Sequence, residues 1–373
     1  MLCRLSSEIV LRPAANAAFA LLDGRPVLFS GTEQKLYELD QIGALIWCKL
    51  AQDASSLDDV YRELERRGID EPSARQFTRQ AIDAWIDRTL LNLEWRTSAD
   101  CELSAKLGQH RITVRTANGA LLDELAPLFR ASDRGTMEDE IFVDVIEFEG
   151  QVFFRGEDAC VHRCPVERLV PAIKAYITEQ IIQGDRSAFA LHAASLARGR
   201  MGLLLCGQPG AGKSTLTLQL MDAGFEYAGD DIALIDTDGT VCGVPFPVTL
   251  KSGSWGLLSG LHADLPRLKT HCRPDGALVR YLPAPDIHEG NLSVSWIIFL
   301  NRVPNGSAKL AQLDQCGSMR RLIESSFAVD GKLSLLGFAA LKRIVTHASS
   351  FELTYSESIQ ARHLLTDLCD GRT

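Results

Sequence analysis

The chain has 373 residues, 46% of them apolar and 23% charged, enough to bury two or three separate cores in an ordinary soluble protein. A net charge of −9 gives a nucleic-acid partner no global electrostatic support, and no apolar run approaches the roughly 20 residues of a membrane-spanning helix. The opening Met1-Leu2-Cys3-Arg4-Leu5-Ser6 lacks the apolar stretch of a secretory signal, and the cysteines are scattered singly; a cytoplasmic protein with reduced thiols is expected.

No internal repeat or low-complexity segment is present. Residues 1–95 read as a small module. Phe19-Ala-Leu-Leu22 and Val27-Leu-Phe29 flank Asp23-Gly24-Arg25-Pro26, a hairpin signal. After Leu36-Tyr-Glu-Leu39, the spacing of Ile42, Leu45, Ile46 and Leu50 predicts a helix. Ser55-Ser56 before Leu57-Asp-Asp-Val60 predicts a capped second helix, and Phe77, Ala81, Ile82, Trp85 and Ile86 predict a third that ends near Leu90-Leu91. Strands followed by three short helices suggest a winged-helix fold.

From Arg96 to Gly184 the pattern is less distinctive. His110 to Arg115, Ile141 to Val145 and Gln151 to Phe154 predict strands, and Val166 to Ile182 predicts an amphipathic helix that Pro171 either kinks or starts. Cys160-Val-His162-Arg-Cys164 gathers three possible metal ligands, but no second pair stands at a zinc-site spacing, so ordinary packing is expected.

From Ala188 onward the order becomes strand, glycine loop, helix and strand. Met201 to Cys206 predicts a buried strand. It leads into Gly207-Gln208-Pro209-Gly210-Ala211-Gly212-Lys213-Ser214, and Lys213 to Met221, with Thr215 in its first turn, predicts a helix. Such a loop lets backbone N–H groups converge on phosphate oxygens at a helix N-terminus. Lys213 would reach the β- and γ-phosphates, and the Ser214 hydroxyl would coordinate Mg²⁺. ATP and Mg²⁺ are therefore the expected cofactors.

The adjacent acids Asp230-Asp231, placed before the strand Ile232-Ala-Leu-Ile235, give such a domain one carboxylate for metal and one to accept a proton. In a parallel sheet they would lie at strand ends near the loop. His192, between apolar residues, reads by itself as a core histidine. Lys251 ends an apolar run and is either a surface lysine or a phosphate contact; Arg280 and Arg302 are weaker candidates for phosphate clamping.

His192-Ala193-Ala194, the loop at 207–214 and Gly224-Phe-Glu-Tyr-Ala-Gly-Asp230-Asp231 together resemble the HPr kinase/phosphorylase family and its relatives. The resemblance implies an α/β, PEP-carboxykinase-like fold over residues 96–373, with the phosphate-loop core from about 186. It makes Asp230 the base, Asp231 a magnesium neighbour beside Ser214, and sets His192 and Lys213 by the transferring phosphate. It extends more weakly through Pro245-Phe-Pro247, Lys251 and a tail from Ala328 to Leu353. Gly229 stands where that family usually has alanine, and its later signature has no convincing copy between His262 and Asn301, so neither phosphorylase activity nor HPr as substrate follows. The sequence looks more like HPr-kinase-like proteins of peptide-tailoring systems.

Leu39-Asp40-Gln41-Ile42-Gly43-Ala44-Leu45-Ile46-Trp47 and Leu57-Asp-Asp-Val60 resemble PqqD-type domains, which bind a precursor-peptide leader by strand addition. The expected protein is thus an ATP-dependent kinase of a Ser/Thr hydroxyl in a ribosomally made precursor peptide of the lasso type. Its leader would sit on the N-terminal module. Phosphorylation of a carrier protein or small metabolite, a nucleotide-switched peptide chaperone, and homo-oligomer formation stay open.

Overall fold

The computed structural model describes residues 3–4, 9–51, 55–95, 101–129, 139–148, 150–157, 160–184, 189–327 and 333–372. Arg96, Ala188 and Ala328, at which sequence boundaries were expected, lie outside the described residues. The chain is mixed α/β with several sheets and divides into two compact units, residues 1–99 with 159–161 and residues 100–158 with 162–373. No described helix is long and apolar enough to cross a membrane.

In the smaller unit an antiparallel meander, Ala17–Leu22, Arg25–Ser30 and Lys35–Glu38, precedes three helices, Gln41–Leu50, Leu57–Arg66 and Glu71–Asp87. The first turn is tighter than expected. Asp23 and Gly24 alone form it, both at positive φ, and Arg25 and Pro26 already pair with Leu22 and Leu21. Each helix starts on a capping side chain: Asp40, Ser56 in a reciprocal box with Asp59, and Asp70. The third helix stops at Asp87, short of Leu90-Leu91, because Thr89 turns to a φ of 52° and Leu91 opens the strand Leu91–Trp95. Buried Trp47 and Trp85 meet edge to face with ring centroids 5.2 Å apart, joining the first helix to the third.

The larger unit is organised by a six-stranded sheet in the order Glu226–Gly229, Ala193–Arg198, Met201–Cys206, Ser293–Arg302, Ser349–Tyr355, Lys309–Gln312. Met201–Cys206 runs parallel to Ser293–Arg302 but antiparallel to Ala193–Arg198, so the sheet is mixed rather than parallel. Both faces of this strand are buried. Leu203 and Leu205 pack with Leu216 and Leu220 of the helix Lys213–Asp222, while Leu204 and Cys206 pack on the other side with Phe299 and Leu341. Two-sided burial accounts for the continuous apolar run in the sequence.

A five-stranded sheet, ordered His162–Pro165, Gln151–Arg155, Asp139–Phe148, His110–Thr116, Cys101–Leu107, packs on the helix Leu169–Gly184 through Ile173, Ile177 and Ile181. Pro171 is the third residue of that helix, which starts at Leu169, and it is tolerated there because the first turn needs no intrahelical amide bond. His162 stacks on Phe154 at 5.1 Å and the Cys164 thiol is pushed up to about 12 by burial. Among the described residues no group of three or more His, Cys, Asp or Glu could hold a metal.

At two points the chain steps directly, without an intervening helix, between the six-stranded sheet and a four-stranded one, ordered Val241–Gly243, Ala233–Ile235, Phe189–Leu191, Ser326–Phe327. His192 is the crossing residue between Phe189–Leu191 and Ala193–Arg198, and residues 230–232 make the second crossing, from Glu226–Gly229 to Ala233–Ile235. A strand that changes sheets brings side chains to the gap between them.

Candidate active site

The phosphate loop leaves the central strand at Cys206 and enters the helix at Lys213. Gly210 and Gly212 adopt φ of 89° and 94°, conformations that a side chain would strain, and they turn the chain back over the helix N-terminus. A Cβ on Gly212 would also lie 2.5 Å from the Tyr355 hydroxyl, which donates to the Ala211 carbonyl at 2.5 Å and pins the loop to the neighbouring strand Ser349–Tyr355. Gln208, Pro209 and Gly210 are exposed, while Ala211, Ser214 and Thr215 are half-buried. The loop therefore presents backbone to solvent on a fixed frame.

Lys213 is buried and donates to the Gly207 carbonyl at 2.5 Å, folding its charge back over the loop. Burial pulls its ammonium pKa down, and nearby Asp230 opposes the fall. A phosphate group at the loop would offer that ammonium a better partner than a neutral carbonyl.

Asp230 is only 3% exposed. Burial, together with the charge of Asp231, raises its pKa to about 7, although the Ser214 hydroxyl beside it opposes the rise. Its Oδ2 receives a long 3.4 Å bond from the Thr249 amide, and its buried Oδ1 has no hydrogen bond of normal geometry. A buried carboxylate oxygen left unsatisfied beside a serine hydroxyl fits a divalent cation held from the Ser214 side. The structure sets the Ser214 hydroxyl next to Asp230.

Asp231 has a different environment, with 41% of its side chain exposed. The protein packed around it pushes its pKa up, but the ammonium of Lys174 outweighs that and holds the carboxyl below its ordinary value. Lys174 pairs with Asp231 Oδ2 and donates to the Thr249 hydroxyl at 2.7 Å, with the rings of Phe246 and Tyr281 over its ammonium at 5.4 and 5.8 Å. Sequence reasoning missed Lys174. The available signal was a lysine on the apolar face of its helix, four residues after Val170 and three before Ile177.

His192 joins the group through its Nδ1, 3.1 Å from the Asp231 carbonyl oxygen. Burial first, and then the charge of Lys213, lower its pKa, which favours the neutral ring. A neutral ring facing a carbonyl donates from Nδ1, which leaves the lone pair on Nε2. Lys251 ends the strand Val248–Lys251 with its side chain exposed, and its charge contributes to lowering both His192 and Lys213. Arg302 lines an open cavity of about 590 Å³ with Gln208 to Ala211 of the loop. Arg280 is engaged elsewhere, its guanidinium 4.1 Å above the Trp255 ring and bonded to the Leu265 carbonyl.

Lys213, Ser214, Asp230, Asp231, His192 and Lys174 thus form one charged cluster between two sheets, suited to binding a phosphate chain and taking up a proton beside it. No family model and no curated protein matches the chain. Among solved structures, the Hpr(Ser) kinase/phosphatase from Coxiella burnetii is similar at 14% identity over 48% of this chain and 94% of its own, with a TM-score of 0.24.

The two carboxylates have opposite consequences for stability. The raised Asp230 pKa stabilises the folded state fully below the unfolded value near pH 4, and that contribution is lost as pH rises through about 7. Without Mg²⁺ at pH 8, Asp230→Asn is therefore expected to raise Tm by several degrees, the gain shrinking towards pH 5. Lys174→Met, which strips Asp231 of its cation, is expected to lower Tm at the same pH. Thermal scans of both variants from pH 5 to 8 check the pair, and equal shifts of one sign would contradict the charge assignment.

Proposed function

We propose that the chain is an ATP-dependent kinase that phosphorylates a Ser/Thr hydroxyl of a ribosomally made precursor peptide, of the lasso type. The observation that carries the kinase reading is the phosphate loop fixed beside an aspartate pair of which Asp230 is buried and Asp231 is paired with Lys174. A nucleotide's phosphates are met by the loop amides and by Lys213. A magnesium ion supplies, when bound, charge neutralisation of those phosphates from the side of Ser214 and the acid pair. Asp230, poised near neutrality, is the carboxylate suited to take the acceptor proton, while neutral His192 lies beside Lys213 as a hydrogen-bonding rather than a charged group. Lys251 adds positive charge on the same side.

The peptide reading rests on the smaller unit and its resemblance to leader-binding domains. Ala17–Leu22 pairs only with Arg25–Ser30 among the described strands, and Leu21 and Leu36 of this meander are 65% and 59% exposed. An outer strand with exposed apolar side chains is the kind of edge that an extended peptide joins.

Lys213→Ala is expected to abolish transfer and weaken Mg-ATP binding; wild-type protein that ignores both ATP and GTP at millimolar levels in calorimetry would remove the nucleotide reading. Asp230→Asn is expected to keep ATP affinity while turnover falls by about 100-fold or more. Wild-type turnover in that variant would shift the base role to Asp231. If the smaller unit holds the leader, a leader-bearing precursor should show a much lower KM than the leaderless core at similar kcat, and equal KM values would remove the recognition role.

A further inference from the structure

A second cavity, of about 640 Å³, lies in the larger unit and shares no lining residue with the one beside the phosphate loop. One wall is a single face of the helix Leu169–Gly184, where Pro171, Ala175, Thr178 and Ile182 follow at spacings of four, three and four. Tyr281 stands in another wall, and Asp231 and His192 border the cavity. A narrow recess continues from it, sharing Lys174, Thr178, Asp231 and Ile232, and reaches Asp230. The cavity thus opens to solvent and borders Asp231 and His192 without crossing the phosphate loop, while Asp230 lies behind it in the recess, which holds only about 10 Å³.

Resting on the kinase reading above, we propose that this cavity is the acceptor site and that it takes a short peptide segment carrying a serine or threonine hydroxyl between apolar neighbours. Its volume falls within the range of roughly 300–1,000 Å³ that encloses organic ligands, more than one hydroxyl side chain needs. Its helix wall offers aliphatic surface at Pro171 and Ile182 with the hydroxyl of Thr178 between them. Lys174 does not repel a neutral acceptor, because its charge is matched by Asp231. In the transfer the acceptor oxygen bonds to the γ-phosphorus while the bond from that phosphorus to the β–γ bridging oxygen breaks. ADP leaves with that electron pair, and the hydroxyl proton passes to the aspartate pair.

Ala175 is exposed on the helix wall, so a large side chain there fills the cavity without entering the core. The test uses full-length protein, Mg-ATP and the capped tripeptide N-acetyl-Leu-Ser-Leu-amide at millimolar concentration, with phosphopeptide read by mass spectrometry and nucleotide affinity by calorimetry. Wild type should phosphorylate the probe. Ala175→Trp and Ala175→Arg should bind Mg-ATP within about twofold of wild type yet lose at least about 30-fold in kcat/KM, mostly through KM. Wild-type kcat/KM in both variants overturns the acceptor site. Wild-type protein that binds Mg-ATP but leaves the probe unmodified overturns the peptide class, whereas wild-type protein that binds no nucleotide overturns the kinase reading itself.

Discussion

Two adjacent carboxylates, set between sheets and close to a buried ammonium, have to share one electrostatic environment. In a low-dielectric site two like charges at neighbouring positions cannot both ionise cheaply, and the cost is reduced either by a cation or by a proton. The structure uses both. Lys174 supplies the cation to Asp231, and burial leaves Asp230 close to holding a proton at neutral pH. Thr249 serves both residues, its amide reaching Asp230 and its hydroxyl accepting from Lys174. The asymmetry comes from the surroundings, because the two side chains are chemically identical.

That arrangement depends on how the sheets meet. His192 and the acid pair both occupy crossings between the same two sheets, so backbone pairing on either side sets their positions. The phosphate loop is held independently, by the buried strand before it and by the Tyr355 hydroxyl on Ala211. Fixed donors of this kind need little reorganisation when charge arrives, which is the condition for strong electrostatic stabilisation of a transferring phosphoryl group. The two cavities then lie on separate linings, one along the loop and one along the helix that carries Lys174.

The smaller unit follows other rules. Its helices begin on Asp, Ser and Asp caps and its core closes around two tryptophans, while part of its meander keeps apolar side chains in solvent. Leu21 and Leu36 stay exposed on the two outer strands of that meander.

Features whose physics is local could be read from the order of residues. The glycine loop was legible because its eight positions contain the turn conformations, the lysine and the hydroxyl that phosphate binding needs. Ser56 and Asp59 were legible as a cap for the same reason, both partners lying within one turn. The central strand announced itself as a continuous apolar run because both its faces are covered. Tertiary structure alone decided which carboxylate is charged, since the residue that decides it, Lys174, lies 57 positions before Asp231 and looks in sequence like one more residue of an amphipathic helix. It also decided that Ser214 faces Asp230 and that the sheet is mixed, since strand direction and side-chain approach depend on pairings between distant segments. Propensity and spacing act over a few residues, whereas the charge state of a buried group depends on every element that packs around it.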